Sequence, residues 1–101
     1  MAAYVIAESQ QVDNPEVQKY RQLAVASIAK YGGRYLVRGA LPDALEGSWP
    51  VTDRMVVIEF PSLEQAKCWY RSPEYTEARS MHSDPSGRRM LFIPGIDEQP
   101  V

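Results

Sequence analysis

The sequence has one cysteine, one histidine and no long apolar run, and each shortage removes a class of function. Cys68 alone cannot close an intramolecular disulfide, so folding does not call for an oxidising compartment. A lone His82 and a distant thiol lack the spacing of metal ligands, and no metal is expected. A membrane helix would need about 18 consecutive apolar residues, which nothing here approaches. Positive charge is scarce too. Eleven Lys and Arg against thirteen Asp and Glu leave a formal net charge of -2, and the longest basic run is Arg88-Arg89. Without a basic stripe, neither nucleic acid nor a membrane surface is an expected partner. The opening residues 1–8 carry no cationic stretch ahead of their short apolar run. That does not fit a secretion signal, and it makes the cytoplasm the default expectation. A phosphate-cradling glycine loop is missing as well, because Gly32-Gly33 stands between a helix and a strand, the reverse of the nucleotide-binding order. No serine sits on a strand-to-helix elbow, and no cofactor is expected.

What is present is the composition of one ordinary folded domain. The 101 residues are 45% hydrophobic and 24% charged, enough for a single core over 1–95 with a short tail, 96–101. Residues 3–8 are apolar and rich in β-formers, and read as a strand. Asp13-Asn14-Pro15-Glu16 marks a helix start, with Asp13 as the cap, Pro15 in the first turn and Glu16 completing a capping box. Val17, Tyr20, Ala24, Ile28 and Tyr31 recur at helical spacing and form one apolar face. Gly32-Gly33 then ends the helix. Strands follow over 34–38, 54–60 and 89–93, with a long loop over 40–53. Ser62 with Gln65 opens a second helix, whose face is Leu63, Ala66 and Tyr70 with Trp69 at its flank. Ser72-Pro73-Glu74 opens a further helical piece over 74–81.

The order βαββαβ predicts a ferredoxin-like α+β two-layer sandwich. Right-handed crossovers give an antiparallel sheet of order 4-1-3-2 with the helices on one face. Both parities of the strands are apolar, so the second face is not built for water. Leaving roughly six large apolar side chains wet forgoes ~1.5–3 kcal/mol each, comparable to a domain's whole stability. A second copy of the chain is the simplest cover, through the face bearing Ile6, Val57 and Phe92 or their alternate neighbours.

Several segments together resemble the domain-of-unknown-function 1330 family of the dimeric α/β-barrel superfamily. They are Tyr4-Val5-Ile6-Ala7-Glu8, the run from Gly32 to Gly39, Glu46-Gly47-x-Trp49, Glu59-Phe60-Pro61-Ser62 and Trp69-Tyr70-x-Ser72-Pro73-Glu74-Tyr75. The resemblance implies two sheets closing face to face into a barrel. It carries no settled activity, since the superfamily spans cofactor-free monooxygenases, isomerases, haem-degrading enzymes and binding modules. Tyr31 stands where relatives often have His, so no histidine chemistry transfers to that position.

Candidate chemistry is sparse. His82 could act as a general base near neutral pH, or be a solvated loop residue. Cys68 reads as an ordinary thiol on a helix. The aromatic set Tyr4, Tyr31, Tyr35, Trp49, Trp69, Tyr70 and Tyr75 could line a pocket for a flat organic ligand, although aromatics on helix and strand faces are usually core. Trp49 differs, because its loop offers no local element to bury it. It is expected at a pocket mouth or a dimer contact, with Arg38 as an anion anchor and Tyr4 as a further ligand contact. Finally, strands 1 and 3 read as central and parallel, each finishing in a glutamate, which puts Glu8 and Glu59 side by side at one barrel rim. Arg34 and Arg88-Arg89 would flank them. That cluster is either an ion-pair belt or a pair of carboxylates in which Glu59 becomes a proton acceptor. Two functions stay open: a subunit that binds or transforms a small organic molecule without a cofactor, and a non-catalytic dimeric module.

Overall fold

The structure is a computed structural model that describes residues 1–9, 14–49, 52–81 and 88–96. Among the described residues seven elements run in the order β1 (Ala3–Ser9), α1 (Pro15–Lys30), β2 (Arg34–Ala40), β3 (Arg54–Phe60), α2 (Leu63–Arg71), α3 (Pro73–Ser80) and β4 (Arg88–Pro94). The four strands form one sheet of order β2-β3-β1-β4, the 4-1-3-2 arrangement in the α+β ferredoxin-like pattern.

Local chemistry sets the helix ends. Asn14, not Asp13, caps α1: its Oδ1 accepts from the Val17 amide at 2.9 Å. Pro15 is therefore the first helical residue, and Glu16 falls one place too early for a capping box. Ser62 caps α2 through the Gln65 amide at 3.0 Å, and Ser72 caps α3 through the Tyr75 amide at 3.1 Å. The C-terminal end of α1 is tightly packed. A β-carbon at Gly33 would stand 2.7 Å from Phe60 Cε1 and 2.8 Å from Ile28 Cγ2, so only glycine fits where the chain turns into β2.

The sheet divides its side chains cleanly. Ala3, Val5, Ala7, Ile58 and Phe60 are buried beneath the helices, and Val56, Met90, Phe92 and Tyr35 pack against the same core. Trp69 is central to that core rather than at the flank of α2. It is 1% exposed, with its ring 4.1 Å from Tyr75 and 5.3 Å from Phe60. An indole is large enough to reach the sheet from a helix whose other buried position, Ala66, is small. The indole Nε1 donates at 3.0 Å to Ser27 Oγ, itself buried and donating to the Ala24 carbonyl at 2.8 Å. Phe92 thus belongs to the helix side. The opposite, open face carries Tyr4, Ile6, Val57, Leu91 and Ile93, as the register Ile6↔Val57 and Ile6↔Leu91 requires.

Every strand pair is antiparallel, including β1 with β3. The expected parallel β1–β3 pair does not form. A βαβ crossover makes β1 and β2 run the same way, and the β2–β3 connection then reverses β3 against β1. The edge strand β2 is irregular, with register shifts between Tyr35 and Val37 and between Arg38 and Ala40. Gly39 at φ +81° accommodates the second.

Candidate functional site

Reversing β3 separates the two glutamates. Glu59 lies opposite Tyr4, whereas Glu8 lies opposite Met55, four residues further along β1. At about 3.4 Å per residue they are roughly 14 Å apart along the strands, at opposite ends of the open face. The expected four-charge rim is therefore two separate pairs. Arg34 Nε donates to Glu59 Oε1 at 2.7 Å at one end, and Arg89 pairs with Glu8 Oε1 at the other. Both carboxylates stand on the open face, and shared-proton chemistry between them has no geometric basis. The side chain of Arg88 and all of His82 lie outside the described residues.

A cleft lies at the Glu8 end. Residues 41–49 fold beside the open face, and with Glu8 and Met55 they border a half-open cleft of about 360 Å³. Pro42, Ala44, Leu45 and Trp49 are its apolar lining from the loop. Gly47, at φ +81°, lets the chain bend tightly here, and the Trp49 Nε1 donates at 2.8 Å to the Glu46 carbonyl. The loop thus fixes its own indole by a local hydrogen bond rather than by tucking it into the core. Trp49 remains 59% exposed and Leu45 94% exposed. Glu8, by contrast, has a side chain only 11% exposed, held by Arg89.

The other candidates do not gather at this cleft. Tyr4 is at the far end of β1, opposite Glu59 and Ile93. Arg38 lies over the Tyr35 ring, 4.8 Å from its centroid, at a register position facing the helices. Burial pushes the Tyr35 hydroxyl pKa up, with the Arg38 charge working in the opposite direction. Cys68 is exposed on α2. Asp43, Leu45, Glu46 and Met55 line the cleft although none of them was a candidate site residue in the sequence. A signal was there to read: residues 39–53 contain Asp43, Glu46 and Asp53 and no Lys or Arg, around exposed Leu and Trp.

A second polar constellation lies on the helix side. Tyr31, at the end of α1, donates its hydroxyl to Glu74 Oε1 at 2.8 Å, and Lys30 pairs with Glu74 Oε2. The Lys30 and Tyr31 bonds hold the Glu74 pKa down to about 2. In return, both Lys30 and Tyr31 are raised above their ordinary values, chiefly by their bonds to Glu74. Gln65 Nε2 donates to the Tyr31 carbonyl at 2.8 Å. This set ties α1 to α2 and α3 at one end. Among the described residues no group of three or more His, Cys, Asp or Glu could hold a metal ion, and no helix is long and apolar enough to cross a membrane.

Several solved structures are similar to this chain in fold, proteins of unknown function among them. No curated protein sequence matches. A protein of unknown function from Rhodopseudomonas palustris superposes with TM-score 0.67 at 16% identity, over 95% of this chain and 83% of that one. A dimeric ferredoxin-like protein of unknown function from Jannaschia sp. gives TM-score 0.59 at 9% identity, over 92% and 98%. A dimeric protein of unknown function with a ferredoxin-like fold from Bacteroides fragilis gives 0.58 at 16%, over 93% and 96%. At these identities the likeness is one of fold. The sequence itself goes further: residues 2–96 match the profile of domain of unknown function 1330, and the chain belongs to that family (DUF1330).

Proposed function

We propose that this chain pairs with a second copy through its open sheet face and holds a small organic molecule in the cleft beneath residues 41–49. The cleft carries the reading. Its 360 Å³ is of the size that takes a small ligand, its lining is largely apolar, and an indole pinned by its own loop stands at its edge. The pairing has separate support. Leu91 is 51% and Ile93 45% exposed on a face whose reverse side is dry. Burying such half-exposed side chains is worth about 1 kcal/mol each, counted twice in a symmetric dimer. Two of the similar folds are also dimeric.

The cleft offers carboxylates, an indole and a thioether, which suit recognition. Proton transfer by Glu8 would have to compete with its Arg89 pair. A dimeric module without a ligand is the second reading, because the apolar open face calls for a cover whether or not the cleft is used. Native mass spectrometry of freshly purified protein separates the two. The first reading expects twice the 11.4 kDa chain mass with a small adduct that Trp49→Ala removes. A bare dimer favours the module, and a folded monomer refutes both.

A further inference from the structure

The charges around the cleft limit what can enter it. Among the described residues, every ionisable side chain lining it is an acid: Glu8, Asp43 and Glu46. Glu8 already has its cation in Arg89. Asp43 and Glu46 have no ion-pair partner among the described residues, and residues 39–53 supply no Lys or Arg to neutralise them. An anion entering here would be repelled by both. A neutral molecule would leave them as they are in water. A cation would be attracted by both and could also lie on the indole of Trp49, whose π-face favours positive charge.

We infer that the ligand of this cleft is a small organic cation, an ammonium or guanidinium group on an apolar body. The apolar part lies against Leu45, Pro42 and Met55, and the charged part lies between Trp49 and the Asp43 and Glu46 carboxylates. This inference rests on the small-molecule reading above and deepens it. Two partly exposed charge contacts and one cation–π contact are together worth about a tenfold preference over a neutral molecule of the same shape, which is ~1.4 kcal/mol. Because the carboxylates are exposed, the preference should shrink as salt is raised.

Titration of the full-length protein with benzylammonium, benzyl alcohol and benzoate, followed by the Trp49 indole N–H resonance, tests this. The Trp69 indole is buried beneath the helices and serves as the internal control. The expected result is a shift at Trp49 only, with benzylammonium binding about tenfold more tightly than benzyl alcohol and benzoate not binding. In the Asp43→Asn, Glu46→Gln double variant, benzylammonium should fall to the level of the alcohol. Equal binding of ammonium and alcohol to the unaltered protein would overturn the charge preference and leave the cleft standing as a binding site. A preference that persists in the double variant would overturn the roles of Asp43 and Glu46. No Trp49 shift with any of the three would overturn the cleft reading together with the inference.

Discussion

Removing the Ser27 hydroxyl should cost far more than a serine-to-alanine change on a helix usually does. Ser27 is 1% exposed, and its Oγ accepts the Trp69 indole N–H while donating to the Ala24 carbonyl. Ser27→Ala leaves that carbonyl within the helix ladder but strands the indole N–H in the core. An unpaired buried donor costs about 1–3 kcal/mol. In a domain of this size each kcal/mol lowers Tm by roughly 4–8 °C. Trp69→Phe acts differently. It keeps Ser27 bonded to Ala24, loses the hydrogen bond, and leaves part of the indole's volume empty between Tyr75 and Phe60, for about 2–3 kcal/mol in all. Once the indole has gone, no N–H remains to be stranded, so the double variant should be only slightly less stable than Trp69→Phe alone. The expected coupling is about 1–2 kcal/mol. Urea unfolding by circular dichroism would measure it, with all four proteins at one concentration because the midpoint of any dimer depends on concentration. Additive losses, or a Ser27→Ala change within a few tenths of a kcal/mol of neutral, would refute this account of the core.

Three further outcomes follow from the same geometry. Gly33→Ala drives a methyl into Phe60 and Ile28 and should destabilise by about 1–3 kcal/mol, read as a lower Tm; an unchanged Tm would mean the α1–β2 turn has room that the structure does not show. Glu74 has its folded-state pKa depressed to about 2 from 4.5, so its stabilising contribution is complete above pH 4.5 and is lost as pH falls towards 2. Tm of Glu74→Gln should therefore change less across that window than Tm of the unaltered protein, and parallel curves would refute the staple. Leu91→Asp places a charge on the open face and should convert a species of twice 11.4 kDa to one of 11.4 kDa in light scattering, whereas a persisting dimer would move the interface elsewhere.

The elements and their order could be read from residue patterns because each is set locally. Capping by Ser62 and Ser72, the stop at Gly32-Gly33 and the 3-4 spacing of Val17, Tyr20, Ala24 and Ile28 act over one or two helical turns. The apolar character of both strand parities likewise announced a face needing a cover. Misreadings at this level were small. Asn14 displaced Asp13 because both are good caps and the proline that follows selects its immediate neighbour.

Position in space was a different matter. Strand parity assigned Glu8 and Glu59 to the open face correctly, but which end each occupies depends on the direction of β3, a property of the whole chain path. Phe92 and Leu91 are equally apolar, and only the β1–β4 register decides that Phe92 enters the core while Leu91 faces outward. The same holds for Trp69. Periodicity put it at a helix flank, and the gap between α1 and the sheet made it the centre of the core, with Ser27 as its hydrogen-bond partner 42 residues away in sequence. The cleft is the furthest from local reading. Glu8 and Met55 come from two strands and Trp49 from a loop, and no spacing along the chain records that they meet. Local interactions are written in neighbouring residues, whereas a site exists only once long-range pairing has chosen which neighbours the fold brings together.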